Sequence, residues 1–460
     1  MQKQISREFY KYISLNVLGM LGLSCYILAD TFFISKRLGA DGLTALNLAI
    51  SVYSIINGLG LMLGIGGASN YNLESGAGNK EKASRIAGAG LSMLVICGTV
   101  IAAAVLLFLD PLLKIFGVTP EVLPYAQDYT GITAYGIPFL ILTTGGNHLI
   151  RADRSPTYSM TCMLTGAILN TILDLLFIFG FHLGIKGAAW ATVIGQAVSG
   201  ALVILYFLRF RKMELSWDML RPKRSCLRAI ASLGMASCIN QIAMAAVQIT
   251  MNNTLRHYGA ASMYGTDIPL ACVGVISKVN MVFMAICIGI SQGCQPIWGF
   301  NYGAGRYARV RETYGKAFRL VLAVGITFCL CFQFFPRQLV GIFGTGSEEY
   351  FHFAERYFRI FMLMTFTNGI QPMSSGFFTS IGKARLGILV SLTRQVIFLL
   401  PLILIFPVFM GIDGVMYAGP IADGAALLAA VICAVRELQK MKALERESTD
   451  EGTNADRVHD

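Results

Sequence analysis

The sequence predicts an all-α polytopic membrane protein whose twelve transmembrane helices form two pseudo-symmetric six-helix bundles. Three observations carry that reading. Of the 460 residues, 55% are hydrophobic and only 14% charged, whereas about 25% of an ordinary soluble domain is charged. The apolar residues gather into runs long enough to bridge a bilayer. A shift of 227 positions also places Gly76-Ala77-Gly78 on Gly303-Ala304-Gly305, and Ile185, Gly187 and Ala191 on Ile412, Gly414 and Ala418. Two well-separated matches at one offset point to a duplicated half. Six spans per half is an even number, so both halves enter the membrane in the same sense, related by an axis along its normal.

The first run, Tyr12 to Ser35, crosses a hydrocarbon core of about 30 Å at 1.5 Å per residue with length left for tilt. It is too long for the apolar core of a signal peptide and has no small-residue cleavage site, so it is read as a span. Asp30 lies within it. A centred aspartate costs roughly 2.5 to 3.5 kcal/mol on insertion scales, so this side chain is expected to face protein or water. The remaining spans follow at 43–70, 86–109, 125–148, 157–181, 187–208, 229–254, 268–296, 315–335, 350–377, 386–410 and 414–435. Pro138, Pro296, Pro372 and Pro401 fall inside spans, where they permit bends.

The segments between the spans alternate in charge. With the amino terminus inside, 27 of the 37 basic residues fall in inner segments, counting Lys316 and Arg319 at the inner end of the ninth span, and six in outer ones; Lys278, Arg356, Arg359 and Arg394 lie deeper within spans. The positive-inside rule then puts both termini in the cytoplasm. The longest basic interruption, Arg209 to Arg228, falls near the middle of the chain. The expected division is therefore an amino-terminal lobe over 1–208, a basic cytoplasmic linker over 209–228, a carboxy-terminal lobe over 229–436 and a disordered cytoplasmic tail over 437–460, which has few apolar anchors.

A net charge of +11 would suit nucleic acid, but confinement of the basic residues to short segments between apolar runs excludes that reading. The 11 Cys form no C-x-x-C pair and read as small buried hydrophobes. Enzyme chemistry finds no support: the five His make no H-E-x-x-H pair, G-x-S-x-G is absent, and Gly376 to Lys383 fails as a phosphate loop because its spacing is one residue too long.

Polar residues inside the spans are the functional candidates. Lys278 and Arg394 each could line a cavity or pair with an acid. Asn147, Asn240 and Gln295 could offer hydrogen bonds to a substrate or join helices.

Four segments carry a family resemblance. GISQGCQPIWGFNYGAGRYARVRE (Gly289 to Glu312), GIGGASNYNLESGAGNKEKASR (Gly64 to Arg85), ADTFFISKRLGADGLTALNLA (Ala29 to Ala49) and NTILDLLFIFGFHLGIKGAAWAT (Asn170 to Thr192) resemble the multidrug and toxic compound extrusion (MATE) transporters, nearest the bacterial MepA-like and DinF-like branch. The resemblance covers the chain apart from its tail. It implies two six-helix lobes around a central cavity and a coupling site made of Asp30, Asn170, Asp174 and Thr192. Asn170 and Asp174, one helical turn apart, share a face, and two neighbouring carboxylates in low dielectric bind a proton or cation reversibly. Where some relatives carry a carboxylate in the seventh span, Ala231 to Thr254 has none, and Thr250 stands at the position matching Asp30.

The function expected from the resemblance is export of cationic amphipathic small molecules across the inner (plasma) membrane, by a monomer that needs no cofactor beyond a coupling ion. That ion is H⁺ in preference to Na⁺, with Asp30 and Asp174 as the Na⁺ ligands if Na⁺ is used. A lipid-linked precursor flippase of the wider superfamily is the alternative, and a membrane enzyme the remote one. A flippase of that kind would be expected to line its cavity with arginine for phosphates.

Overall fold

The computed structural model describes residues 2–115, 120, 122–265, 267–342 and 346–457. Every regular element among them is helical: α1 (Gln2–Gly76), α2 (Lys80–Leu107), α3 (Leu109–Ile115), α4 (Leu123–Ala134), α5 (Ile137–Ala152), α6 (Pro156–Asp174), α7 (Gly184–Leu205), α8 (Arg224–Ala260), α9 (Asp267–Gly303), α10 (Tyr307–Phe334), α11 (Pro336–Gly341), α12 (Glu348–Phe361), α13 (Thr365–Asn368), α14 (Ile370–Ser380), α15 (Ala384–Leu392), α16 (Leu400–Met410) and α17 (Ile412–Arg457). Wider π-helical turns follow α6 (Leu175–Gly180) and α7 (Tyr206–Phe210) and join α15 to α16 (Thr393–Leu399), and a 3₁₀ turn, Trp217–Leu220, precedes α8.

Among the described residues, ten uninterrupted segments are long and apolar enough to cross a membrane. The other two expected spans, the fourth and the tenth, are broken helices. In the fourth, α4 stops at Ala134 and α5 restarts at Ile137; Pro138 has no N–H to give the ladder, and the Gly136 N–H turns back to the Thr133 carbonyl at 2.8 Å. In the tenth, the Thr365 and Thr367 hydroxyls donate to the Met362 and Met364 carbonyls at 2.7 and 2.8 Å. Such local bonds compete with the helical ladder, and the chain crosses as α12, α13 and α14.

The helical residues of α1 contain a reversal. Gly19 packs on Met163 and Gly22 on Leu164, and Asp30 meets Asp174 further on, so the first half runs parallel to α6. In the second half the Tyr53 hydroxyl lies 2.5 Å from Thr133 Oγ1 and Gly64 packs on Gly145, so this half runs parallel to α4 and α5. Only three residues separate α5 from α6, which makes those two antiparallel, and the halves of α1 with them.

The chain forms two compact units, Lys11–Tyr71 with Lys80–Ala246, and Met1–Tyr10 with Asn72–Asn79 and Val247–Asp460. The first closes around Leu63, Leu94, Ile141, Leu149, Val203 and Ile230. The second closes around Phe332, Phe353, Phe358, Val415 and Met416. This division differs from one placed at 209–228. The basic segment packs on the first unit, where the Ser92 hydroxyl donates to the Leu220 carbonyl at 2.5 Å, and the opening turns of α8 belong there too, since Gly234 presses on the Met62 carbonyl.

The tail expected to be disordered from 437 is instead helical through Arg457. Three anchors explain its nearer part: Glu437 and Met441 are buried, Glu437 pairs with Lys383, and Glu445 with Arg311. Residues 458–460 lie outside the described residues.

Candidate functional site

The first unit brings four expected residues together. Asp30 comes from the first half of α1, Asn170 and Asp174 from successive turns of α6, and Thr192 from α7. Asp30 is 6% exposed and Asp174 0%, so neither acid faces lipid. Their carboxyls lie within hydrogen-bond reach of each other. Asn170 presents its amide nitrogen to Asp174 Oδ2 at 3.1 Å, and its oxygen accepts from Thr192 Oγ1 at 3.2 Å. The π-helical turn begins directly after Asp174, a deviation often found at functional positions.

Three tyrosines that sequence reasoning missed complete the surroundings. Tyr26, one turn before Asp30, senses both acids. Tyr129, from α4, shares a hydrogen bond with Thr192 and faces Asp30, and Tyr53 lies beside Tyr129. The four-residue spacing of Tyr26 and Asp30 was a usable signal; nothing local marked Tyr53 or Tyr129.

The chemistry follows from what these groups lack. Among the described residues neither acid forms an ion pair, and Asp30 Oδ1 and Asp174 Oδ1 are buried without a protein donor. Two carboxyls so close, out of water, need a positive charge between or upon them. The donor set consists of hard oxygens suited to H⁺ or Na⁺. Among the described residues no group of three or more His, Cys, Asp or Glu is gathered as for a transition metal.

The other candidates lie elsewhere. Asn147 is buried in the first unit; its Nδ2 donates to the Thr143 carbonyl at 2.8 Å and its Oδ1 accepts from the Ser159 hydroxyl at 3.0 Å, which ties α5 to α6. Asn240 lies 3.7 Å from the Met244 sulfur one turn along α8. In the second unit, the Gln295 amide packs at Gly376. Lys278 is half-buried and, among the described residues, has no ion-pair partner. Arg394 Nε donates to Asp423 Oδ1 at 2.6 Å. Asp423 was also missed, although an acid inside the twelfth apolar run was visible in the sequence.

Comparison with known proteins gives a consistent picture. Residues 17–176 and 236–405 match the MatE family profile. The multidrug export protein MepA of Staphylococcus aureus (strain NCTC 8325 / PS 47) is 24% identical over 420 residues, covering 90% of each chain. The protein of the same name from Staphylococcus saprophyticus subsp. saprophyticus is 24% identical over 418 residues, again covering 90% of each. Among solved structures, an outward-facing multidrug resistance MATE family transporter of the MOP superfamily superposes with a TM-score of 0.88 at 21% identity, over 95% of this chain and 97% of that one. A MOP superfamily transporter from Pyrococcus furiosus, described as having a binding pocket of reversed polarity, superposes with a TM-score of 0.87 at 21% identity, over 96% and 97%. The fold described above is the fold of these structures.

Proposed function

The chain belongs to the MatE family, multi-pass membrane transporters of small molecules and not enzymes, and from that premise we propose that it is a proton-driven antiporter exporting cationic amphipathic compounds. The observation that carries this reading is the Asp30 and Asp174 pair: two acids within hydrogen-bond reach, buried, with no basic partner among the described residues. That contact is repulsive unless a proton is shared, whereas a Na⁺ ion would have to spread the carboxyls to reach both. Protonation from outside favours one conformation and substrate from inside the other; coupling requires only that each ligand bind the two unequally. When the pair is deprotonated its negative charge suits an organic cation.

The flippase alternative wants a cationic cavity for phosphates, but Arg394 is occupied by Asp423. The distribution of basic residues supports the cell membrane with both termini cytoplasmic, and the acid pair is complete within one chain, which supports a monomer as the working unit.

Reconstituted vesicles test this directly. A pH gradient alone should drive movement of a fluorescent organic cation such as ethidium, a matched Na⁺ gradient should not, and Asp30→Asn should slow it at least tenfold. Transport driven by Na⁺ alone would refute proton coupling, and a wild-type rate in Asp30→Asn would remove that acid from the mechanism.

A further inference from the structure

The second unit holds a membrane-embedded acid of a different kind. Asp423 lies eleven residues into α17 and Arg394 ten residues past the start of α15, so each is about 15 Å along its span. Both are therefore at mid-bilayer depth. Their side chains are 2% and 13% exposed, and Arg394 Nε lies 2.6 Å from Asp423 Oδ1. Arg394 belongs to the π-helical stretch Thr393–Leu399, and buried Tyr357 of α12 faces both charges. Three further acids of α17 are engaged elsewhere: Asp413 with Arg356 at 3.0 Å, Glu437 with Lys383 and Glu445 with Arg311.

The contrast between the units is chemical. In the first, two buried acids have no cation of their own among the described residues; in the second, a buried acid has one attached to the chain. The geometry points to Arg394 as a tethered cation that permanently fills the site Asp423 would otherwise offer to an exchangeable ion, which confines ion exchange to the Asp30 and Asp174 pair. A guanidinium stays charged at every physiological pH and cannot dissociate from the chain. Asp423 thus keeps a counter-charge that neither gradient can displace. Arg394 is on this view a positioning residue that sets how many ions the transporter exchanges. The inference rests on the antiport reading and goes beyond it, because it says which lobe does not couple.

Dicyclohexylcarbodiimide, which reacts with protonated carboxyls in apolar surroundings, tests it site by site on the full chain in vesicles, with labelled peptides identified by mass spectrometry. Wild type should label at Asp30 or Asp174 and not at Asp423. Arg394→Gln should label at Asp423 at least tenfold more than wild type, and Arg394→Lys, which keeps a cation, should return labelling to the wild-type level. A purely structural role would not produce that rescue. Equal labelling of Asp423 in wild type and Arg394→Gln, or none in a folded Arg394→Gln protein, would overturn the proposal. The double change Arg394→Gln with Asp423→Asn removes both charges and is the variant to use if the single one does not fold. It should keep proton-driven transport with the wild-type ion ratio, and loss of coupling in the folded double variant would also overturn it. Failure to label Asp30 and Asp174 counts against the antiport reading instead, so the two failures are told apart.

Discussion

Asp153 occupies the three-residue turn between α5 and α6, outside the membrane-spanning segments. It is 2% exposed. Its Oδ2 accepts from the Tyr206 hydroxyl at 2.7 Å and from the Lys212 N–H at 2.6 Å, so one carboxyl fastens the basic segment after α7 to the body of the first unit. Burial pushes this carboxyl above its ordinary value of 3.8, against the pull of its hydrogen bonds to Lys212 and Tyr206. A carboxyl raised in the folded state holds its proton longer than in the unfolded chain. Its contribution is therefore present below the ordinary value and is lost as pH rises through the raised one. The melting temperature of the purified protein should carry that falling component just above pH 3.8. Asp153→Asn should remove it while costing about 1–3 kcal/mol at neutral pH, because an amide nitrogen would face a backbone or hydroxyl donor. An unchanged pH slope would show that Asp153 does not titrate there. Asp30 and Asp174 were legible as a pair through the family resemblance, with which the interruption of apolar runs by each acid and the one-turn spacing of Asn170 and Asp174 agree. The tyrosines around it were not, because a tyrosine in a membrane span looks the same whether it faces lipid, core or a carboxylate.

Among the helices, glycines decide where backbones meet. A Cβ on Gly76 would lie 2.1 Å from the Phe300 carbonyl oxygen, and one on Gly303 would lie 2.1 Å from that of Leu73. A shift of 227 carries Leu73 to Phe300 and Gly76 to Gly303, so the contact is reciprocal, as between symmetry mates. Gly303→Ala should force the helix ends apart and lower stability by about 1–3 kcal/mol, read as a fall in melting temperature; a neutral outcome would mean that the ends separate freely. The sequence offset marked these glycines but not what they touch. The broken fourth and tenth spans were misread as continuous because hydropathy counts apolar residues and is blind to where the ladder is interrupted. The carboxy-terminal helix was misread for the opposite reason: its polar composition hid partners supplied by α10 and by Lys383, far away in sequence.

For the whole molecule, topology follows from the chemistry of the bilayer. Trp217, 84% exposed on the 3₁₀ turn before α8, lies in the basic segment assigned to the cytoplasm. Trp217→Cys in a protein freed of its 11 native cysteines should react in intact cells with a permeant maleimide and not with an impermeant one; the reverse would invert the topology. The number of spans was determined by the sequence alone, since a helix must cross about 30 Å of hydrocarbon with its backbone bonds satisfied, and the acids of the pair were marked by the family resemblance together with the cost of a charge in that layer. Only the tertiary structure decided that Asp30 meets Asp174 while Asp423 meets Arg394. Which charges pair depends on the rotation and depth of helices distant in sequence, and neither is written in the local order of residues.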